Sequence, residues 1–292
     1  MDTLQLRAMG KINLALDVLG RLENGYHEVR MIMQTVQLYD RLTLTVRDDE
    51  AIVIHTNLPF LPDNKNNIAW KAARLMMDTF GLEKGVTVDI EKHIPVAAGM
   101  AGGSADAAAV LFGMNRLFKL GQSRKKLMEL GVTLGADVPY CLLRGTALSE
   151  GIGEILSPLP PLPDCHILIA KPGISVSTRS VYEQIDNCGV KSHPDIDGMI
   201  GALESGDLEG VASRMENVLE AVTAVTHPEI EKIKQTMKEW GAVNALMSGS
   251  GPTVFGLFDD KGKALRARGA LRAGKEARQI YLTKAFNRRK RG

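Results

Sequence analysis

The sequence is poor in cysteine, in aromatic residues and in net charge, and each shortage excludes something. Its three cysteines among 292 residues, Cys141, Cys165 and Cys188, are an odd number without metal-ligand spacing. No disulfide framework or zinc site is expected, and a reducing compartment, the cytoplasm, is. Aromatic residues make up 5% and the net charge is +2, of which Arg288, Arg289, Lys290 and Arg291 supply four positive charges and leave the rest of the chain at −2. A body of that charge, with no stripe of interleaved basic and aromatic residues, does not suit nucleic acid, and the basic tail reads as a solvated end. The longest charge-free stretch, Gly241 to Phe258, holds four glycines, two serines and a proline, which does not suit a membrane helix. No apolar run follows a basic start, so no secretory signal is expected. No repeat of 20–50 residues is visible. The G-x-x-x-x-G-K-[ST] loop, the G-x-G-x-x-G fingerprint after a strand and the protein-kinase catalytic triplets are all missing.

What remains is an ordinary globular composition, 45% hydrophobic and 24% charged, in an alternation of strand and helix patterns. Leu4–Leu19 reads as strand, with Lys11, Asn13 and Ala15 on one face and Ile12, Leu14 and Leu16 on the other. Further strands are expected at 43–46, 52–56, 86–90, 166–170, 242–247 and 253–258. Helices are expected at 67–80 (core Ile68, Leu75, Met76), 104–120 (a stripe of Ala105, Ala108, Ala109 and Phe112), 178–187, 195–204, 207–222 and 228–240. Ser157–Asp164, with four prolines, cannot be helix or central strand and marks the best boundary, giving domains 1–157 and 158–292. Runs of strands followed by runs of helices predict an α+β chain.

The chemistry-bearing segments are few. Pro95-Val96-Ala97-Ala98-Gly99-Met100-Ala101-Gly102-Gly103-Ser104-Ala105 joins a strand to a helix through three glycines. Glycines let successive N–H groups converge on one anion, and the helix end adds its positive dipole. The plainer alternative is a Gly-rich turn before a helix capped by Ser104. Met247–Thr253, a second Gly-Ser segment, is either a turn or a further source of donors to the same anion. Lys11 is either snorkelling from an edge strand or, with Asn13 beside it, pointing into a polar cleft. Asp137 is either the N-cap of a short turn starting at Pro139 or a base for a substrate hydroxyl. Asn24-Gly25-Tyr26-His27 is a turn that carries an aromatic ring and an imidazole.

Together and in order, these segments resemble the GHMP kinase superfamily. The resemblance rests on Ala8-Met-Gly-Lys-Ile-Asn-Leu-Ala-Leu, Asn24-Gly-Tyr-His, the phosphate loop from Ile94 to Ser104, Gly135-Ala-Asp-Val-Pro-Tyr-Cys with Gly145-Thr-Ala-Leu-Ser-Glu-Gly, and Met247-Ser-Gly-Ser-Gly-Pro-Thr. It implies a two-domain fold, with a ribosomal S5 domain 2-like N-terminal part and a ferredoxin-like C-terminal part. It also implies an ATP-dependent small-molecule kinase. The Gly-Tyr-His turn and the Gly-Ala-Asp-Val-Pro block imply an acceptor with a cytidyl group, phosphorylated on the 2-hydroxyl of a cytidyl diphosphate methylerythritol in the non-mevalonate route to isoprenoid precursors.

Residue by residue, the resemblance implies that Asp137 is the base and Lys11 its electrostatic partner. Asn13 contacts the acceptor end. Tyr26, His27, Thr178 and Tyr182 receive the substrate, the pyrimidine lying between aromatic faces. Pro95 to Ala105 cradles the ATP phosphates, and Mg²⁺ is carried by those phosphates rather than by protein ligands. The chain departs from the family pattern at Ala105, where a serine is common, at Arg144, where glycine is usual, and at Asn24, where aspartate is common. Two rivals stand beside this reading: a superfamily kinase for mevalonate, homoserine or a sugar, whose acceptors carry no base to stack, and a non-enzymatic RNA-binding protein, against which the body charge speaks. No membrane or nucleic-acid partner is expected, and the oligomeric state, monomer or homodimer, is open.

Overall fold

The computed structural model describes residues 2–288, so Arg289, Lys290 and Arg291 of the basic tail lie outside the described residues. The chain opens on two long strands, β1 (Thr3–Arg21) and β2 (His27–Val46), where the sequence marks only 4–19 and 43–46. The turn between them closes as Leu22 donates its N–H to the Tyr26 carbonyl at 2.8 Å, with Gly25 at φ +84°. From Gly10 to Val18, β1 is buried on both faces. That is why its polar residues, Lys11 and Asn13, are inside rather than on a solvated face.

Next come β3 (Ile52–Thr56), α1 (Ile68–Phe80), β4 (Val86–Glu91), α2 (Gly102–Leu117), α3 (Arg124–Val132) and α4 (Asp137–Leu143). The strands β5 (Thr146–Glu150), β6 (Ile155–Pro158) and β7 (His166–Lys171) follow, with Pro158 ending an edge strand that pairs only β5, a place where a missing N–H is tolerated. The rest is α5 (Thr178–Cys188), α6 (Ile196–Ser205), α7 (Leu208–Ser213), β8 (Glu216–Asn217), α8 (Glu220–Thr226), α9 (Glu229–Glu239), β9 (Asn244–Met247), β10 (Val254–Phe258), α10 (Lys261–Ala273) and β11 (Gln279–Lys284).

One sheet has the path β3-β4-β2-β1-β8, with β5 on β2 and β6 on β5; the other is β11-β7-β10-β9, antiparallel throughout. The fold class is α+β. The chain forms two compact units: residues up to Gly10 with Leu38–Val96 and Ala101–Leu143, and Lys11–Gln37 with Ala97–Met100 and everything from Arg144 onward.

In the first unit, α1 and α2 pack on one another through alanines and methionines, among them Ala72, Ala73, Met76, Ala107, Ala108 and Met114. A Cβ on Gly113 of α2 would lie 2.6 Å from a Leu44 methyl of β2, so the glycine lets the helix sit close on the strand. Phe112, expected in the buried stripe, is exposed instead: the buried face of α2 follows the small residues, which allow closer approach than a phenyl ring. Ile68 and Leu75 are half-buried, and Met76 alone of that trio is fully inside. In the second unit, β10 is buried along its whole length beneath α9 and α10. The expected helix at 207–222 is broken. Glu216 and Asn217 leave helical geometry to pair in parallel with Ala15 and Leu16 of β1, and the buried Asn217 side chain takes backbone partners that a helix could not offer it.

Candidate active site

The loop between β4 and α2 has left-handed backbone at alternate residues: Ala97 (φ 48°), Gly99 (φ 71°) and Ala101 (φ 55°). Alternation of hand turns successive N–H groups to one side, as in anion-binding nests. For two of the three positions the residue is alanine, which costs about 1–2 kcal/mol each relative to right-handed backbone. The helix begins at Gly102, two residues before the expected start, and its N-cap is Ala101, whose side chain supplies no acceptor. Ser104 is therefore inside the first turn and is not the cap. The N–H groups of Gly102, Gly103 and Ser104 lie in the turn that has no intrahelical acceptors. An anion is the partner such an end accepts most readily. Pro95, Ala98, Met100 and Ala105 are buried, and Ala97 and Gly103 are the exposed members of the loop.

Within the second unit, the middle of this loop is fastened to two other segments. Lys11 donates its N–H to the Met100 carbonyl at 3.1 Å, and the Ser248 hydroxyl donates to the Gly99 carbonyl at 2.9 Å. A Cβ on Gly99 would lie 2.0 Å from the Ser248 carbonyl oxygen, so only glycine fits. The Lys11 ammonium donates to Asn13 Oδ1 at 2.6 Å, both residues being buried. Lys11 is thus inside, on a strand paired on both sides, and does not snorkel from an edge strand. The second Gly-Ser segment is itself held by Asn217, whose amide donates to the carbonyls of Met247 and Gly249, each at 2.8 Å. Thr178, the first residue of α5, shares a 2.8 Å hydroxyl contact with Ser250. Asn217 was not foreseen; nothing in its neighbourhood, Met215-Glu216-Asn217-Val218-Leu219, marked it out.

The aromatic end is also in the second unit. The rings of His27 and Tyr182 meet with centroids 4.6 Å apart and planes tilted by 32°. His27 Nε2 donates to Asp186 at 2.6 Å, and Arg21 reaches the other oxygen of the same carboxylate at 3.4 Å. Tyr26 is 59% exposed, held by an Asn24 side chain that accepts its backbone N–H at 3.0 Å. Asp186 was missed, although it lies one helical turn beyond Tyr182 and so on the same face.

In the first unit, Asp137 is half-buried at the start of α4, where a negative charge is favoured by the helix dipole. The helix starts at Asp137 itself rather than at Pro139. Within that unit the Ser104 hydroxyl lies 4.0 Å from where a Cβ on Gly135 would stand, so the start of α2 and the turn before Asp137 are neighbours. Arg144 adopts φ 63° ahead of Gly145 at φ 86°, which explains why glycine suits that position.

Two family models match: GHMP kinases N terminal domain over residues 67–145 and GHMP kinases C terminal over 199–277. The chain is 59% identical over 286 residues to the 4-diphosphocytidyl-2-C-methyl-D-erythritol kinase of Lachnospira eligens, covering 98% of this chain and 99% of that one. It belongs to the 4-diphosphocytidyl-2-C-methyl-D-erythritol kinase family.

The kinase of the same name from Lachnoclostridium phytofermentans is 57% identical, over 98% of each chain. A crystal structure titled 4-(cytidine 5'-diphospho)-2C-methyl-D-erythritol kinase superposes with a TM-score of 0.82 at 33% identity, covering 98% of this chain and all of that one. Homoserine kinase from Cytophaga hutchinsonii matches at 19% identity with a TM-score of 0.78, over 98% of this chain and 95% of that one, and shares the fold alone. As a member of this kinase family, the protein is an ATP-dependent small-molecule kinase with the two-part GHMP architecture. Among the described residues no helix is long and apolar enough to cross a membrane.

Proposed function

We propose that the protein transfers the γ-phosphoryl group of ATP to the 2-hydroxyl of 4-diphosphocytidyl-2-C-methyl-D-erythritol, an isoprenoid precursor. Asp137 takes the hydroxyl proton, and the Lys11 ammonium offsets charge on the moving phosphoryl. Asn13 orients Lys11 and the acceptor end. Such transfer needs positioning and charge neutralisation more than covalent chemistry. The loop from Pro95 to Ala105 supplies backbone donors to the ATP phosphates, and Mg²⁺, carried by those phosphates rather than by protein ligands, would offset their charge. Residues 1–157 carry the phosphate loop and 158–292 complete the substrate site. Three cysteines, none in a disulfide among the described residues, suit a cytoplasmic protein.

The observation that supports this acceptor over other alcohols is the His27–Tyr182 ring contact with its Asp186 anchor. It offers an aromatic face and a polar edge together, which a pyrimidine uses and mevalonate or homoserine does not. Tyr26 and Thr178 complete the acceptor end. The test is ADP release from ATP-Mg²⁺ with diphosphocytidyl-methylerythritol beside mevalonate, homoserine and galactose. Turnover with the cytidyl acceptor alone supports the assignment, and equal turnover with a base-free acceptor overturns it.

A further inference from the structure

Beneath the phosphate loop, within the first unit, one cation is buried between two carboxylates. Lys92, just past β4, donates to Asp40 of β2 at 2.5 Å and to Asp106 of α2 at 2.6 Å, and all three side chains are buried. The two carboxylates are not equivalent. Asp40 accepts at both oxygens: Oδ2 from Lys92, Oδ1 from the backbone N–H groups of His93 and Ile94 at 2.6 and 2.8 Å. Those two residues open the loop, so Asp40, with three donors, anchors its entry. Asp106 accepts only from Lys92, and its Oδ1 has no partner among the described residues. The Lys92 ammonium lies 3.4 Å from where a Cβ on Gly102 would sit, directly under the first residue of α2. Asp106 itself is the fifth residue of that helix.

A buried carboxylate oxygen without a donor is poorly stabilised as an anion, whereas a neutral carboxyl tolerates the same surroundings. One proton between the two carboxylates leaves the cluster with Lys92 neutral, and Asp106, which has one donor against three for Asp40, is the better place for it. We propose that Asp106 carries that proton in the working enzyme and is a positioning residue for ATP, keeping a second negative charge out of the floor of the phosphate loop. This rests on the loop being the ATP site. Burial, with Asp40 beside it, outweighs the pull of Lys92 and pushes the Asp106 carboxyl well up from its ordinary value. The charged groups acting on it are Lys92 from the end of β4 and Asp40 from β2. The helices α1 and α4, which also pack on α2, bury Ala69, Ala72, Ala73, Met76 and Met77 and the residues Val138–Leu143, all uncharged.

The test compares wild type with Asp106→Asn, which keeps the shape and removes the titration. Direct binding of ATP-Mg²⁺ is measured from about pH 6.5 to about pH 9.5, alongside KM for the acceptor. Wild-type affinity for ATP should fall about five-fold more than that of the variant across this range, with no matching divergence in acceptor KM. Parallel profiles overturn the proposal. The infrared protonated-carboxyl band gives a readout that needs no substrate: in wild type it should persist at neutral pH and vanish on the alkaline side. Its loss in the ordinary carboxylate range, near pH 4, overturns the proposal even if Asp106→Asn does not fold. If neither protein binds ATP while the band behaves as expected, it is the assignment of the loop to ATP that fails.

Discussion

Asp186 accepts a 2.6 Å hydrogen bond from Nε2 of His27, and a carboxylate at that nitrogen fixes the proton there. When neutral, an imidazole held this way presents Nδ1 as a lone-pair acceptor. An exocyclic amine, as on cytosine, can donate to such an atom; the carbonyl of uracil at the same place cannot. The Asp186→Asn variant offers an amide that can donate to Nε2 and so favour the opposite tautomer. We expect its KM for the cytidyl acceptor to rise about ten-fold, in line with one lost hydrogen bond to a buried polar group, with KM for ATP unchanged. Steady-state kinetics with each substrate varied in turn checks this. An equal rise in both constants would mean that Asp186 only supports the fold.

Asp137→Asn should behave in the opposite way. The amide keeps the size of the side chain at the start of α4 and can still pack there, but it cannot take a proton. A loss of a general base is worth about 10²–10⁴ in rate. The expected outcome is therefore a kcat lower by that order with both KM values little changed, measured as ADP release at saturating substrates. Near-normal turnover would remove Asp137 from the chemistry.

Gly99 tests the seat of the loop. Its φ of 71° disfavours any side chain, and a methyl there would sit 2.0 Å from the Ser248 carbonyl oxygen. Because that neighbour is backbone, it cannot rotate away, and the Ser248–Gly99 hydrogen bond must open. Gly99→Ala should raise KM for ATP at least ten-fold and lower thermal stability, both being readable on one preparation by kinetics and melting. Retained ATP affinity would show that the loop adapts.

The loop was legible before any coordinates because its glycines serve a local purpose that survives in the linear sequence. Lys11 and Asn13 were legible as a pair through the two-residue period of a strand. Asp186, Asn217 and Asp40 were not. Each acts on a partner at least 30 positions away, and nothing in the immediate neighbourhood of a polar residue records a distant contact. Asp106 directly follows the loop motif in the chain, yet its role depends on Lys92 and Asp40, which arrive from just past β4 and from β2. The start of α2 was misplaced for a related reason: serine is the better N-cap by preference, but the chain uses Ala101 in left-handed geometry, a choice that leaves the helix end without a side-chain acceptor.

The buried cluster also sets the sign of a stability effect. In the unfolded chain Asp106 ionises near its ordinary value of about 4, whereas in the folded protein burial holds the proton to about pH 8. Between those values the native state binds more protons than the unfolded state, so the stabilising contribution is complete below about pH 4 and is lost as pH rises towards the folded value. Removing the titration with Asp106→Asn should therefore help most on the alkaline side. We expect the stability of the variant relative to wild type to improve by a few kcal/mol between about pH 5 and about pH 8.5, read from urea denaturation at each pH. A difference that stays constant over that range would mean that Asp106 is already ionised in the folded protein, with Lys92 held between two carboxylates at a net charge of −1.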